Sequence, residues 1–86
     1  MDIVYPNAQE RIYIPRDLNG AKQKIIAEAT HKAKDVQVHW YVDRAYYGST
    51  EDFHSIELGL SVGDHVLYCI DDRGEEQKVS FEVLSR

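Results

Sequence analysis

Residues 63–74, Gly-Asp-His-Val-Leu-Tyr-Cys-Ile-Asp-Asp-Arg-Gly, followed by Val79-Ser80-Phe81-Glu82-Val83, leave this chain few ways to fold. Val66 to Ile70 is too short for a helix, and it is bounded by Gly63 and by the turn residues Asp72 to Gly74. Val79, Phe81 and Val83 alternate strictly with Ser80 and Glu82, the period of a half-buried strand. The segment therefore predicts a strand, a tight turn and a return strand, a hairpin running from the edge of a sheet into its core. None of its residues is an obvious catalyst, which directs the search for function to a binding surface.

The rest of the chain follows the same rhythm. Ile3 to Tyr5 is a short apolar strand stopped by Pro6-Asn7. Arg11 to Ile14 alternates until Pro15 removes a backbone donor, and Asp17 to Gly20 reads as a turn with Asn19-Gly20 at its tip. Lys22 to Thr30 is rich in helix formers, yet Ile25, Ala27 and Ala29 alternate with Ile26, Glu28 and Thr30, and the bracketing turns favour a strand. Val36, Val38, Trp40 and Val42 alternate most cleanly, with Gln37, His39 and Tyr41 on the other face. Asp43-Arg44 opens a turn, Tyr46, Tyr47 and Thr50 mark a short edge strand around Gly48, and Phe53 to Leu60 gives another strand. Seven or eight short strands, with turn signals about every ten residues, predict an all-β sandwich.

Two anchors make that sandwich immunoglobulin-like, with about seven antiparallel strands and no disulfide. Trp40 sits mid-chain on an inward face, where such folds place a core Trp. Gly63-x-His65-x-Leu67 imitates the Gly-x-Tyr-x-Cys entry to a late strand, with His65 at the corner and Leu67 in place of the Cys. His65, Leu67 and Cys69 are then expected inside, and Val66, Tyr68 and Ile70 outside. Trp40, Val38, Leu67, Cys69, Phe81 and Val83 are expected to share one core.

Size and charge narrow the function. The 86 residues make one small domain, 43% hydrophobic and 29% charged, an ordinary globular composition. The net charge of −5 carries no basic cluster, which argues against a nucleic-acid partner. No apolar run approaches the ~18 residues of a membrane span, and no signal peptide is evident. Because the chain enters strand-like sequence by Ile3, it reads as a domain cut from a longer protein, with Met1 foreign to it. His31, His39, His54 and His65 lack metal-site spacing, and only convergence in the folded sandwich would bring them to one another and to the oxygens of Asp43, Asp71 or Asp72. Ser49, Ser55, Ser61, Ser80 and Ser85 lack a nucleophile's context, and Glu75-Glu76 sits in a turn. No metal, cofactor or catalytic set is expected.

The ordered motifs resemble a known family. Tyr5-Pro6 followed by Ile12-Tyr13-Ile14-Pro15-Arg16-Asp17-Leu18-Asn19-Gly20 is similar to the opening of the C-terminal domain of penicillin-binding protein 1C. Trp40-x-x-Asp43, Gly48-x-Thr50, His54, Gly63-x-His65-x-Leu67, Asp71-x-x-Gly74 and Phe81-x-Val83 continue the pattern in order. Asn19 stands where the pattern has Asp before Gly, which keeps the turn chemistry. The resemblance implies a terminal module of a membrane-anchored, bifunctional glycosyltransferase/transpeptidase, lying on the periplasmic side of the inner membrane. The Ser-x-x-Lys signature of the transpeptidase is absent from this sequence, so no catalytic residue carries over. His54 is expected to be a buried hydrogen-bonding residue near the Asp43 turn, and His65 a corner residue bonded to backbone.

The outward triplet directs attention to one sheet face. His39, Tyr41, Tyr46, Tyr47, Val66, Tyr68 and Ile70 are the candidate binding residues, opposite the Trp40 core. Three readings stand: docking to the transpeptidase domain of the same chain or to another envelope protein, stacking of peptidoglycan sugars on tyrosines, or a spacer whose aromatic pairs only stabilise the sheet.

Overall fold

The computed structural model describes residues 1–14, 23–33 and 35–85; the turn expected at Asp17–Gly20 lies outside them. The strands are β1 (Asp2–Tyr5), β2 (Glu10–Ile14), β3 (Gln23–Thr30), β4 (Val38–Val42), β5 (Ala45–Thr50), β6 (Ser55–Leu60), β7 (Gly63–Asp71) and β8 (Glu76–Ser85). They form a three-stranded sheet, β1-β3-β6, and a five-stranded sheet, β2-β8-β7-β4-β5. The fold is an all-β sandwich, and among the described residues no helix is long and apolar enough to cross a membrane.

Alternation decides which side chains enter the core. Val38, Trp40 and Val42 of β4, Leu67 and Cys69 of β7, and Val79, Phe81 and Val83 of β8 are buried against Ile25, Ala27, Ala29, Leu58 and Leu60 of the smaller sheet. The described part of the ambiguous segment, Gln23–Thr30, thus resolves as a strand, because small Ala27 and Ala29 face inward at period two and leave Ile26 and Glu28 outside. Burial pushes the Cys69 thiol up to about 11, as suits a small core residue rather than a reactive one.

Three expectations change. The hairpin of β7 and β8 does not lie at an edge: β2 pairs β8 in parallel, Glu10 opposite Phe81 through Ile14 opposite Ser85, so β8 is flanked on both sides. Periodicity shows that Arg11–Ile14 is a strand, but not which strand it joins. Phe53 is not in β6; it stands in the preceding loop at 86% exposure, where the Asp52 backbone takes φ 63°. The segment Tyr46–Thr50 is an edge strand as expected, but it carries a bulge opposite Trp40 and Tyr41.

Candidate interaction face

The outer surface of the five-stranded sheet is built by register. Tyr41 of β4 pairs with Tyr46 of β5 on one side and Tyr68 of β7 on the other, and Tyr68 in turn pairs with Lys78 of β8. Side chains in register on adjacent strands meet, giving a row of tyrosines across three strands. The Tyr41 and Tyr46 rings lie 5.2 Å apart at 58°, and the Tyr41 and Tyr68 rings 5.8 Å apart at 56°. His39 approaches Tyr46 with ring centroids 6.1 Å apart. Val66 and Ile70 flank Tyr68 on the same face of β7, each half-buried. Tyr47 is set apart: it is the extra residue of the β5 bulge and, among the described residues, makes no ring contact. The other six candidates share the face, with Tyr41, Asp43, Arg44, Val66, Tyr68 and Lys78 lining a shallow groove of about 670 Å³. The Tyr68 hydroxyl donates to Glu76 Oε2 at 2.6 Å. That bond, helped by partial desolvation, pushes the phenol up to about 12, so Tyr68 remains a neutral donor.

The motif residues do different work, inside and at the two ends of the sandwich. Buried Trp40 donates its Nε1–H to Thr50 Oγ1 at 2.9 Å. Having accepted that bond, the Thr50 hydroxyl donates to His54 Nδ1, also at 2.9 Å. Gly48 holds φ 136° opposite Trp40, a conformation that L side chains rarely adopt. His54 is buried as expected, but it lies at the Thr50 end of β4, away from the Asp43 turn, because Thr50 pairs with Val38, the first residue of β4. Asp43 instead meets His65, Oδ2 to Nδ1 at 2.6 Å, and its Oδ1 accepts the Val66 amide at 2.9 Å. His65 Nε2 addresses the Ser61 carbonyl at 2.7 Å, which makes it the backbone-bonded corner that the sequence implied. Among the described residues no buried side-chain nitrogen or oxygen lacks a partner. Thr50→Val is therefore expected to cost about 1–3 kcal/mol by orphaning the Trp40 indole N–H and His54 Nδ1; urea denaturation checks this.

Residues 1–81 match the Penicillin-Binding Protein C-terminus Family. The chain belongs to that family. Among solved structures, it is similar to a fibronectin(III)-like module of Clostridium thermocellum CbhA, with a TM-score of 0.73 at 20% identity, over 98% of this chain and 95% of that one. A likeness at that identity concerns the fold alone. Comparison with curated proteins returns no match.

The penicillin-binding protein C-terminus module also assembles a group that sequence spacing did not reveal. His31 Nε2 lies 2.7 Å from Asp71 Oδ2 and 3.6 Å from Glu75 Oε2, a His and two carboxylates within reach of one cation. Their separation along the chain, 40 residues between His31 and Asp71, hides the cluster from any motif. Local bonding gives it a structural task. The Ala33 amide donates to His31 Nδ1 at 2.9 Å, so the neutral ring carries its proton on Nε2 and donates to Asp71. A metal on Nε2 would move that proton to Nδ1, against the Ala33 N–H, whereas a metal-bound His ordinarily presents its other nitrogen to an acceptor. Asp71 Oδ1 accepts the Arg73 and Glu75 amides at 2.9 and 2.8 Å, shaping the turn that Gly74 completes at φ 89°. The His31 hydrogen bond, reinforced by those amides against the effect of burial, holds the Asp71 carboxyl down at about 2.

Proposed function

We propose that the module is a non-catalytic docking appendage of a bifunctional peptidoglycan synthase, working on the periplasmic side of the inner membrane. It uses the tyrosine face of the five-stranded sheet to bind the transpeptidase domain of its own chain, or failing that another envelope protein. The observation that carries this reading is the tilt of the tyrosine row. Rings inclined by 56° and 58° to their neighbours form no coplanar floor for a run of sugars. With aliphatic Val66 and Ile70 beside them, they offer the mixed edges and faces that protein interfaces favour. The polar motif residues Trp40, Asp43, Thr50, His54, His65 and Asp71, by contrast, are occupied by hydrogen bonds that hold the sandwich together, a task from which the exposed tyrosine face is free.

The test is titration of the isotope-labelled module with the purified transpeptidase domain of its parent chain and, separately, with peptidoglycan sacculi. Val66→Ser with Ile70→Ser is expected to weaken protein binding by roughly tenfold, from the apolar area withdrawn, and to leave sacculus binding unchanged. Binding of sacculi that is lost in Tyr41→Ala with Tyr46→Ala would transfer the face to a glycan. If neither double variant differs from the parent in either titration, the docking reading fails and the module is a spacer.

A further inference from the structure

The chain carries fifteen acidic residues against ten Lys and Arg, yet the groove on its tyrosine face is lined by two cations and one carboxylate. Arg44 and Lys78 both border it, and among the described residues neither forms an ion pair. The acidic groups nearby are already engaged. Asp43 has one oxygen on His65 and the other on the Val66 amide, and Glu76 accepts the Tyr68 hydroxyl. Arg44 is also fixed at its base. It lies in the β4–β5 turn at φ 73°, next to Asp43, whose amide donates to the Val66 carbonyl at 3.0 Å. Lys78 is fixed by its register opposite Tyr68. The rest of the lining is Tyr41, Val66 and Tyr68, apolar apart from the phenol hydroxyls, and Asp43, whose carboxylate is turned to His65 and the Val66 amide.

We infer that this groove receives an acidic segment of a protein partner, with carboxylates at Arg44 and Lys78 and an apolar side chain over Val66. The inference rests on the docking reading above and specifies its ligand. Two cations without an ion pair among the described residues, set around one groove on a chain of net charge −5, favour a carboxylate there over a basic partner. The tyrosines and Val66 supply contact area that a free carboxylate ion would not use, so the segment needs alternating acidic and apolar side chains. Ring tilt again speaks against a sugar chain in the same position.

The probe is a blocked hexapeptide, Glu-Leu-Glu-Leu-Glu-Leu, titrated into the labelled module at low salt, with Lys-Leu-Lys-Leu-Lys-Leu and soluble muropeptides as the other arms. The expected result is amide shift changes confined to Tyr41, Arg44, Val66, Tyr68 and Lys78 with the acidic peptide alone. Arg44→Gln with Lys78→Gln should weaken binding roughly three- to tenfold, and added salt should do the same, as for partly exposed charge pairs; Lys78→Arg should retain it. Dispersed spectra of each variant certify that it is folded. Equal binding of the basic peptide, shifts elsewhere on the molecule, or binding of muropeptides alone would overturn the inference. So would transpeptidase-domain docking that is weakened by Val66→Ser with Ile70→Ser but unchanged in Arg44→Gln with Lys78→Gln; that outcome removes the acidic ligand and leaves the docking face standing.

Discussion

Replacing Trp40 with Ala is expected to remove about 3–5 kcal/mol of stability, most of what so small a domain possesses. Trp40 has no exposed surface and sits among Val38, Val42, Leu67 and Cys69 in a core contributed by both sheets. Its removal opens a large cavity and at the same time deprives Thr50 of its indole donor. Trp40→Phe separates the two effects: it retains most of the apolar volume and loses only the hydrogen bond, so it should cost clearly less. Equilibrium urea denaturation of both variants is the measurement. A Trp40→Ala protein within about 1 kcal/mol of the parent would mean that the core closes without this residue.

Acid is expected to destabilise the module in two stages. Burial and the neighbouring His31 lower the pKa of His54 below its ordinary 6.5. The unfolded chain therefore takes up that proton first, and stability falls as pH drops from 6.5 toward the folded value. Asp71, held at about 2 by His31 and the turn amides, and Asp43, where the bonds from His65 and Val66 outweigh the opposing effect of burial, both lie below their ordinary 3.8. Such groups confer stability that is complete above about pH 4 and lost as pH falls toward 2. Melting temperature followed from pH 8 to pH 2 should be level above about pH 7 and then decline in these two windows. Asp71→Asn should flatten much of the lower stage, and His54→Gln the upper. A single decline confined below pH 4 would show that His54 plays no part.

Much of this was legible in the sequence, because period-two alternation is a local property. Val38-Trp40-Val42, Leu67-Cys69 and Phe81-Val83 announced both their strands and their inward faces, and Val66, Tyr68 and Ile70 announced the outward one. What remained hidden was long-range pairing. Nothing about Arg11–Ile14 says that it adds to β8 in parallel, and nothing local brings His31 to Asp71. His54 lies at the Val38 end of β4 and not near the Asp43 turn for the same reason: its neighbours in space are set by the β4–β5 register, not by its distance along the chain. The bulge at Tyr47 was equally invisible, because one inserted residue changes which tyrosine meets Tyr41 without altering the composition of the strand. Arg44 and Lys78 are 34 residues apart and carry no shared local signal; only the sheet sets them around one groove.

The parallel pairing of β2 with β8 also determines how the sandwich carries tension. A pull applied between Glu10 and Ser85 draws the start of one strand and the end of its neighbour in opposite directions along their common axis. The rungs between them, from Glu10–Phe81 to Ile14–Ser85, then bear the load together in shear instead of opening one after another from an end. With β8 held on its other flank by β7, a stretching force meets a mechanical clamp before it reaches the core.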